Sequence, residues 1–203
     1  MNDDMPAEKE SRFLRSALDE QGAVVSTESI REWLASRNRE VQVRVERTRL
    51  SSMRDWALEE TSGRIRHSTG KFFSIDGIRV ATNWGRLAEW AQPIINQPEI
   101  GLLGCIAREF HGVLHFLIQA KVEPGNVNCV QLSPTLQATK SNYTRVHHGK
   151  SPRYLDWFAD RTRSRVLLDQ LQSEQGARFL HKRNRNIIVE IQEDLAPDPD
   201  FVW

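Results

Sequence analysis

The stretch GVLHFLIQAKVEPGNVNCVQLS, Gly112 to Ser133, decides how this sequence folds. Successive side chains of a β-strand point to opposite faces. Between Val113 and Glu123 one face carries Leu114, Phe116, Ile118, Ala120 and Val122, all apolar. The other carries His115, Gln119, Lys121 and Glu123, with Val113 and Leu117 among them. Glu123-Pro124-Gly125-Asn126 then has the pattern of a type II turn, Pro second and Gly third. The chain reverses into VNCVQLS, where Gln131 and Ser133 share a face. Two neighbouring strands therefore present Gln119, Lys121, Glu123, Gln131 and Ser133 together.

From Pro124 to Thr139 the chain carries no charged residue, but Asn126, Gln131, Ser133, Thr135, Gln137 and Thr139 keep it polar. Ser141, Asn142 and Tyr143 extend the pattern. A solvated sheet face is the plain reading, because antiparallel sheets are commonly wet on one side. Such faces usually carry several Lys or Glu residues, whereas amides and hydroxyls suit a partly buried site that orients a polar ligand. Sugars and nucleotides are ligands of that kind.

Working outward, IGLLGCIARE is a second clear strand, joined to the first by a turn around Phe110 to Gly112. Phe13, Leu14, Ala17 and Leu18 predict one amphipathic helix, and Ile30, Trp33 and Leu34 a second that starts near Thr27. Val41, Val43 and Val45 alternate with polar neighbours and predict a half-buried strand. Asp76-Gly77, flanked by β-type residues, predicts a hairpin turn. Ser151-Pro152 is a helix-start pair, with a helical stretch expected to run to Gln175 and Gly176 as its C-cap. IIVEI is a last strand. The class is α+β with a mixed or antiparallel central sheet. Residues 1–10 read as a flexible tail and 11–203 as one module. The closing PDPDFVW ends on three apolar residues, Phe201, Val202 and Trp203, which a following segment or a partner is expected to cover.

With 203 residues, 39% hydrophobic and 27% charged, the composition is that of a globular domain with a core. A net charge of +1 gives no bulk attraction to nucleic acid or anionic membrane. The longest apolar run, Gly112 to Ala120, is broken by His115 and Gln119, too short for a membrane span. The opening MNDDMPAEKE is polar and acidic, unlike a signal peptide. Cys105 and Cys129 lack metal-type spacing and read as buried free thiols in a reducing cytoplasm. No HxH or HExxH spacing exists among the six histidines, so no metal is expected.

Four segments now stand together: WAQPIINQPEIGLLG, GVLHFLIQAKVEPGN, VQLSPTLQATKSNY and LQSEQGARFLHKRNRN. In this order, from about Trp33 to Phe201, they resemble the NDP-hexose 2,3-dehydratases of deoxysugar biosynthesis. The resemblance implies action on a nucleotide-linked 4-keto-6-deoxyhexose, typically the dTDP sugar, with loss of water across carbons 2 and 3. It implies no redox cofactor, a Nudix-like fold, and a downstream NADPH-dependent 3-ketoreductase. DQLQSEQGA, Asp169 to Ala177, sits where a Nudix helix would carry its metal-binding glutamates, and only Glu174 and Gly176 of that pattern survive. One carboxylate is a poor magnesium site. Family members typically hold two modules in tandem, so this single one is expected to be a homodimer, with a fragment or a diverged single module as the alternatives.

The implied reaction needs a base at carbon 3, a proton donor for the leaving hydroxyl, and donors around an enolate oxygen. Glu123 is the candidate base and Lys121 its partner, a salt bridge being the competing explanation. Tyr143, His147 and His148 are candidate acids. Arg178, Lys182, Arg183 and Arg185 form the densest basic run and suit a diphosphate, with a solvated charge run as the alternative. Trp84, Trp90 or Tyr143 could stack on the nucleobase. A silent sugar-nucleotide-binding module and a 4-keto-sugar epimerase or isomerase are the rival readings. Nudix hydrolysis stands well behind them.

Overall fold

Among the described residues two β-sheets, one of four strands and one of seven, form the framework of the molecule. The computed structural model describes residues 6–139 and 151–203. Helix α1 spans Pro6–Leu18, beginning inside the stretch expected as a tail, and α2 spans Thr27–Glu40. The Ser26 hydroxyl accepts the Ser29 N–H at 3.1 Å, which caps α2 at the residue before the expected start.

The small sheet runs β1 (Trp56–Leu58), β2 (Ile65–His67), β3 (Ser74–Ala81) and β4 (Glu89–Asn96), all antiparallel. In the large sheet the order is β11 (Phe201–Val202), β6 (Val113–Val122), β5 (Gly101–Phe110), β10 (Arg183–Glu190), β9 (Arg165–Ser173). Among the described residues, only β10 against β5 is parallel within it. This is the mixed α+β class that the sequence indicates. Ile106, Leu117, Ile187, Val189 and Phe201 form the core with Trp157 and Phe158 of a short helix α3 (Leu155–Ala159).

The opening stretch forms β6, as its alternation requires, and it does something alternation does not announce. Residues 113–117 of β6 pair with β5, but from Ile118 onward β6 pairs instead with β7 (Val130–Pro134). Likewise β5 leaves β6 and pairs through Leu102–Gly104 with β8 (Leu136–Ala138). The chain thus enters the fork between two diverging strands, with Thr135 at its vertex. There the Thr135 hydroxyl accepts the Ile106 N–H at 3.0 Å and donates to the Leu117 carbonyl. Ile106 and Leu117 are register partners, so one side chain bridges the groups where their ladder parts.

Several sequence expectations fail for identifiable reasons. Residues 41–49 form no strand, since no neighbouring strand accepts them, and Val43 and Val45 stay exposed. Asp76-Gly77 is no turn, because β3 runs through it with Gly77 opposite Pro93. The buried Asp76 carboxylate accepts Ser74 at 2.7 Å and Asn96 at 3.0 Å, which satisfies it in mid-strand. The real connection lies at 82–88, closed by Thr82 N–H to the Ala88 carbonyl, with Gly85 at φ 83°.

Beyond Ser151 the helix is only five residues long, entered through Tyr154 at φ 62°. The segment expected to continue it is β9, including the first half of the expected Nudix helix; ladder bonds to β10 override the helical propensity of its Leu and Gln residues. At 123–126 the Asn126 N–H does reach the Glu123 carbonyl, but Gly125 lacks the positive φ of a type II turn. Phe201 and Val202 pair with Gln119 and Ile118, and Trp203 packs edge-on against Phe110 at 5.3 Å, so Phe201 is buried and Val202 and Trp203 are half-buried. Cys105 and Cys129 are free and half-buried rather than fully buried. No helix among the described residues is long and apolar enough to cross a membrane.

Candidate functional site

Pairing of β6 with β7 places Gln119 opposite Ser133 and Lys121 opposite Gln131. Directly opposed residues share a face, so the predicted polar group is assembled as expected. The Lys121 ammonium lies 2.8 Å from the Glu123 carboxylate, a salt bridge along one strand. Asn126 donates to the Lys121 carbonyl at 3.3 Å and fastens the turn to the strand. Gln119 donates to the Pro134 carbonyl at 2.8 Å, so its amide steadies the ribbon as it nears the fork. Ser133 donates to the Gln137 amide oxygen at 3.4 Å.

Two hollows open beside this face. One, of about 230 Å³, is lined by Lys121, Glu123, Asn126, Gln131, Ser133 and Gln137 with Leu132 and Pro134. The other, of about 390 Å³, is lined by Gln119, Lys121, Thr135, Gln137, Arg153, Asp200 and Phe201 among others. Lys121 and Gln137 belong to both. Thr135 reaches the wall of the larger hollow, but both hydrogen-bonding roles of its hydroxyl are taken in the fork, where it is 2% exposed.

The basic run falls elsewhere. Glu174, Lys182 and Arg183 line a cleft of about 610 Å³ with Ile78, Ile94, Phe179 and His181, between the small sheet and the start of β10. Lys182 is buried there and donates to the Glu99 carbonyl; desolvation holds its ammonium below the usual lysine range. Arg185 forks onto Asp169, 2.7 Å through Nε, and this pair depresses the Asp169 carboxyl. Arg178 and Arg183 are exposed. Glu174 accepts Asn184, whose oxygen in turn accepts the Gly101 N–H at 3.0 Å.

Trp84 sits in the 82–88 connection, 86% exposed, while Trp90 donates to Gln92 at 2.7 Å in β4. Neither lines the two hollows on β6. Thr139 follows β8 directly. Ser141, Asn142, Tyr143, His147 and His148 lie outside the described residues. Among the described residues no group of three or more His, Cys, Asp or Glu side chains could hold a metal ion.

Arg153 and Asp200 are lining residues that sequence reasoning missed. Nothing in their local pattern marks them, because β11 carries residue 200 to β6 across some eighty positions of chain, and the Ala120 N–H bonds its carbonyl at 2.8 Å.

The profile of the NDP-hexose 2,3-dehydratase family matches residues 27–203, which include both hollows and the basic cleft. The chain belongs to the NDP-hexose 2,3-dehydratase family. Among relatives, a dTDP-4-dehydro-6-deoxy-alpha-D-glucopyranose 2,3-dehydratase from Saccharopolyspora spinosa is 47% identical over 192 residues. That match covers 95% of this chain and 40% of the relative. A protein of the same description from Amycolatopsis orientalis is 45% identical, covering 95% of this chain and 42% of the relative. One from Streptomyces violaceoruber is 48% identical, covering 89% and 41%. The chain therefore spans about two-fifths of the length of these 2,3-dehydratases. Helix α1 lies outside the span that the family profile matches.

Proposed function

We propose that this 2,3-dehydratase-family chain acts on a dTDP-linked 4-keto-6-deoxyhexose and eliminates water across carbons 2 and 3. One observation carries the reading: the Lys121–Glu123 pair stands beside a hollow otherwise lined by amides, a hydroxyl and apolar groups. Such a surface suits a neutral, hydroxyl-rich ring placed against one base. The relatives' descriptions supply the substrate class.

The 4-keto group acidifies the proton on carbon 3, and Glu123 accepts that proton. The electron pair released from the C3–H bond is held first as an enolate, whose oxygen the Lys121 ammonium faces. It then forms the C2–C3 double bond as the C2–O bond breaks, and the 2-hydroxyl leaves as water with a proton from an acid. The resulting enol takes up a proton at carbon 2 and becomes the 3,4-diketo sugar. Positioned acid or base catalysis of this sort contributes roughly 10²–10⁴-fold per group. Tyr143 and His147 are the residues proposed for the acid. A reactive diketone calls for prompt reduction, which fits an NADPH-dependent 3-ketoreductase as the next enzyme. A homodimer in the cytoplasm, and kinship of the module with the Nudix scaffold, complete the proposal.

The test uses the full chain with dTDP-4-keto-6-deoxyglucose, a 3-ketoreductase and NADPH, followed by detection of the 2-deoxy product. In deuterated water, Glu123→Gln should abolish deuterium exchange at carbon 3. Retained exchange in that variant removes Glu123 from the role of base. dTDP binding without turnover by the unmodified chain would favour a silent binding module instead.

A further inference from the structure

The two hollows on β6 differ in charge. The smaller one offers Asn126, Gln131 and Ser133, with Lys121 and Glu123 already paired to each other. The larger one sets two cations, Lys121 and Arg153, against one carboxylate, Asp200. A nucleotide-linked sugar is likewise divided, neutral at the pyranose and strongly anionic at the diphosphate.

Arg153 is mounted firmly but engaged loosely. Its neighbour Tyr154 takes a left-handed φ of 62°, packs edge-on against Phe201 at 4.8 Å, and accepts the Asp198 N–H at 3.0 Å through its hydroxyl. The backbone at 153 is thereby tied to β11. Among the described residues the guanidinium pairs with Asp198 at 3.1 Å and Asp200 at 3.9 Å, with the three side chains 54%, 46% and 52% exposed. Exposed pairs of this kind contribute little and exchange readily. Asp200 also has Arg37 at 3.5 Å, so it keeps a counter-charge if Arg153 turns away. The guanidinium fork matches phosphate oxygens in pairs. In the basic run, by contrast, Lys182 is spent on the Glu99 carbonyl and Arg185 on Asp169.

We propose that Arg153 is the diphosphate-binding residue of the β6 cleft, so that the sugar enters the smaller hollow beside Glu123 and the phosphates lie in the larger one. This rests on the sugar-nucleotide reading given above. On binding, Arg153 exchanges Asp198 for the diphosphate, while Lys121, common to both hollows, stays with Glu123 beside the sugar.

The experiment is calorimetric titration of the full chain with dTDP, at low and at physiological salt. The unmodified chain should bind dTDP, and Arg153→Gln should weaken binding about tenfold or more with a smaller salt dependence, since a charge-assisted fork is lost. Arg153→Lys should fall between them, keeping the charge without the fork. Asp198→Asn removes the competing carboxylate and should bind dTDP as tightly as the unmodified chain or more tightly. If the unmodified chain binds dTDP and Arg153→Gln binds within twofold of it, the assignment of Arg153 is overturned and the sugar-nucleotide reading stands. A tenfold loss in Asp198→Asn overturns it as well, because the 198–200 segment and not the guanidinium would then hold the ligand. Failure of the unmodified chain to bind dTDP removes the sugar-nucleotide reading and this assignment together.

Discussion

Replacing Thr135 with Val removes one oxygen and adds one methyl of nearly the same shape, yet it strikes the vertex of the forked sheet. The hydroxyl is the partner of both the Ile106 N–H and the Leu117 carbonyl, and neither of those residues has any solvent exposure. Valine leaves a donor and an acceptor buried without partners. Each such group costs about 1–3 kcal/mol. Some relaxation of the fork offsets part of this, so the expected loss is about 3 kcal/mol. For a domain of this size each kcal/mol lowers Tm by about 2–4 °C, which gives a fall of about 6–12 °C. Urea unfolding at constant m-value measures the loss, and amide exchange at Ile106 should accelerate more than at Ile94, which is buried in the small sheet. Thr135→Ser keeps the hydroxyl and should lose about 1 kcal/mol through the missing methyl alone. A Thr135→Val protein within about 0.5 kcal/mol of the parent, a change typical of surface substitutions, would refute the fork as described.

Glu190 is buried between Arg12 at Nη1 3.3 Å and Arg165 at Nε 3.0 Å. Burial alone would raise its pKa, but the hydrogen bonds of the two arginines prevail and hold the carboxyl below the usual glutamate range. Its contribution is therefore present above the unfolded pKa of about 4.3 and is lost as pH falls through the lower folded value. Arg12→Met leaves Glu190 with Arg165 only, and at pH 7 should cost about 3 kcal/mol in chemical denaturation. That deficit should shrink towards zero below the folded pKa, where the parent loses the same interaction. Gly104→Ala should destabilise by about 1–3 kcal/mol, because a Cβ there would lie no farther than 2.9 Å from three ring carbons of the buried Phe158. Pairing it with Phe158→Leu in a double-mutant cycle should recover part of the loss.

The sequence makes β5, β6, β7 and the polar face legible because period-2 alternation reports directly which side of a strand is wet. It shows Gln131 and Ser133 on one face, but their register against Lys121 and Gln119 is set by the longer connection 123–129, which the turn pattern at 123–126 does not supply. It misreads Asp76-Gly77, where the turn chemistry of the dipeptide is overruled by Ser74 and Asn96, two partners that only the folded ladder supplies. It misreads Arg165–Ser173 for a related reason: Leu and Gln favour helices locally, and the ladder to β10 is a non-local fact. Arg153 and Asp200 are invisible to it because they reach the cleft through β11, not through any pattern near residue 121. The basic run is easy to see, but whether a cation is free for a ligand depends on partners such as Asp169 and the Glu99 carbonyl.

The parallel pairing of β10 with β5 sets the order in which the molecule can be made. β5 is joined early to β6 by a tight turn at His111-Gly112, both residues at positive φ, so that hairpin can form from local contacts. Its other edge waits for β10, whose Asn184 meets Gly101 across 83 residues of chain. Closing a loop of that length is entropically slow. During synthesis the centre of the large sheet consequently stays one-sided until residues 183–190 have left the ribosome, and Ile187 and Val189 complete the core only then. A chain truncated before residue 183 should keep a hairpin and expose an apolar edge, the species most prone to aggregate.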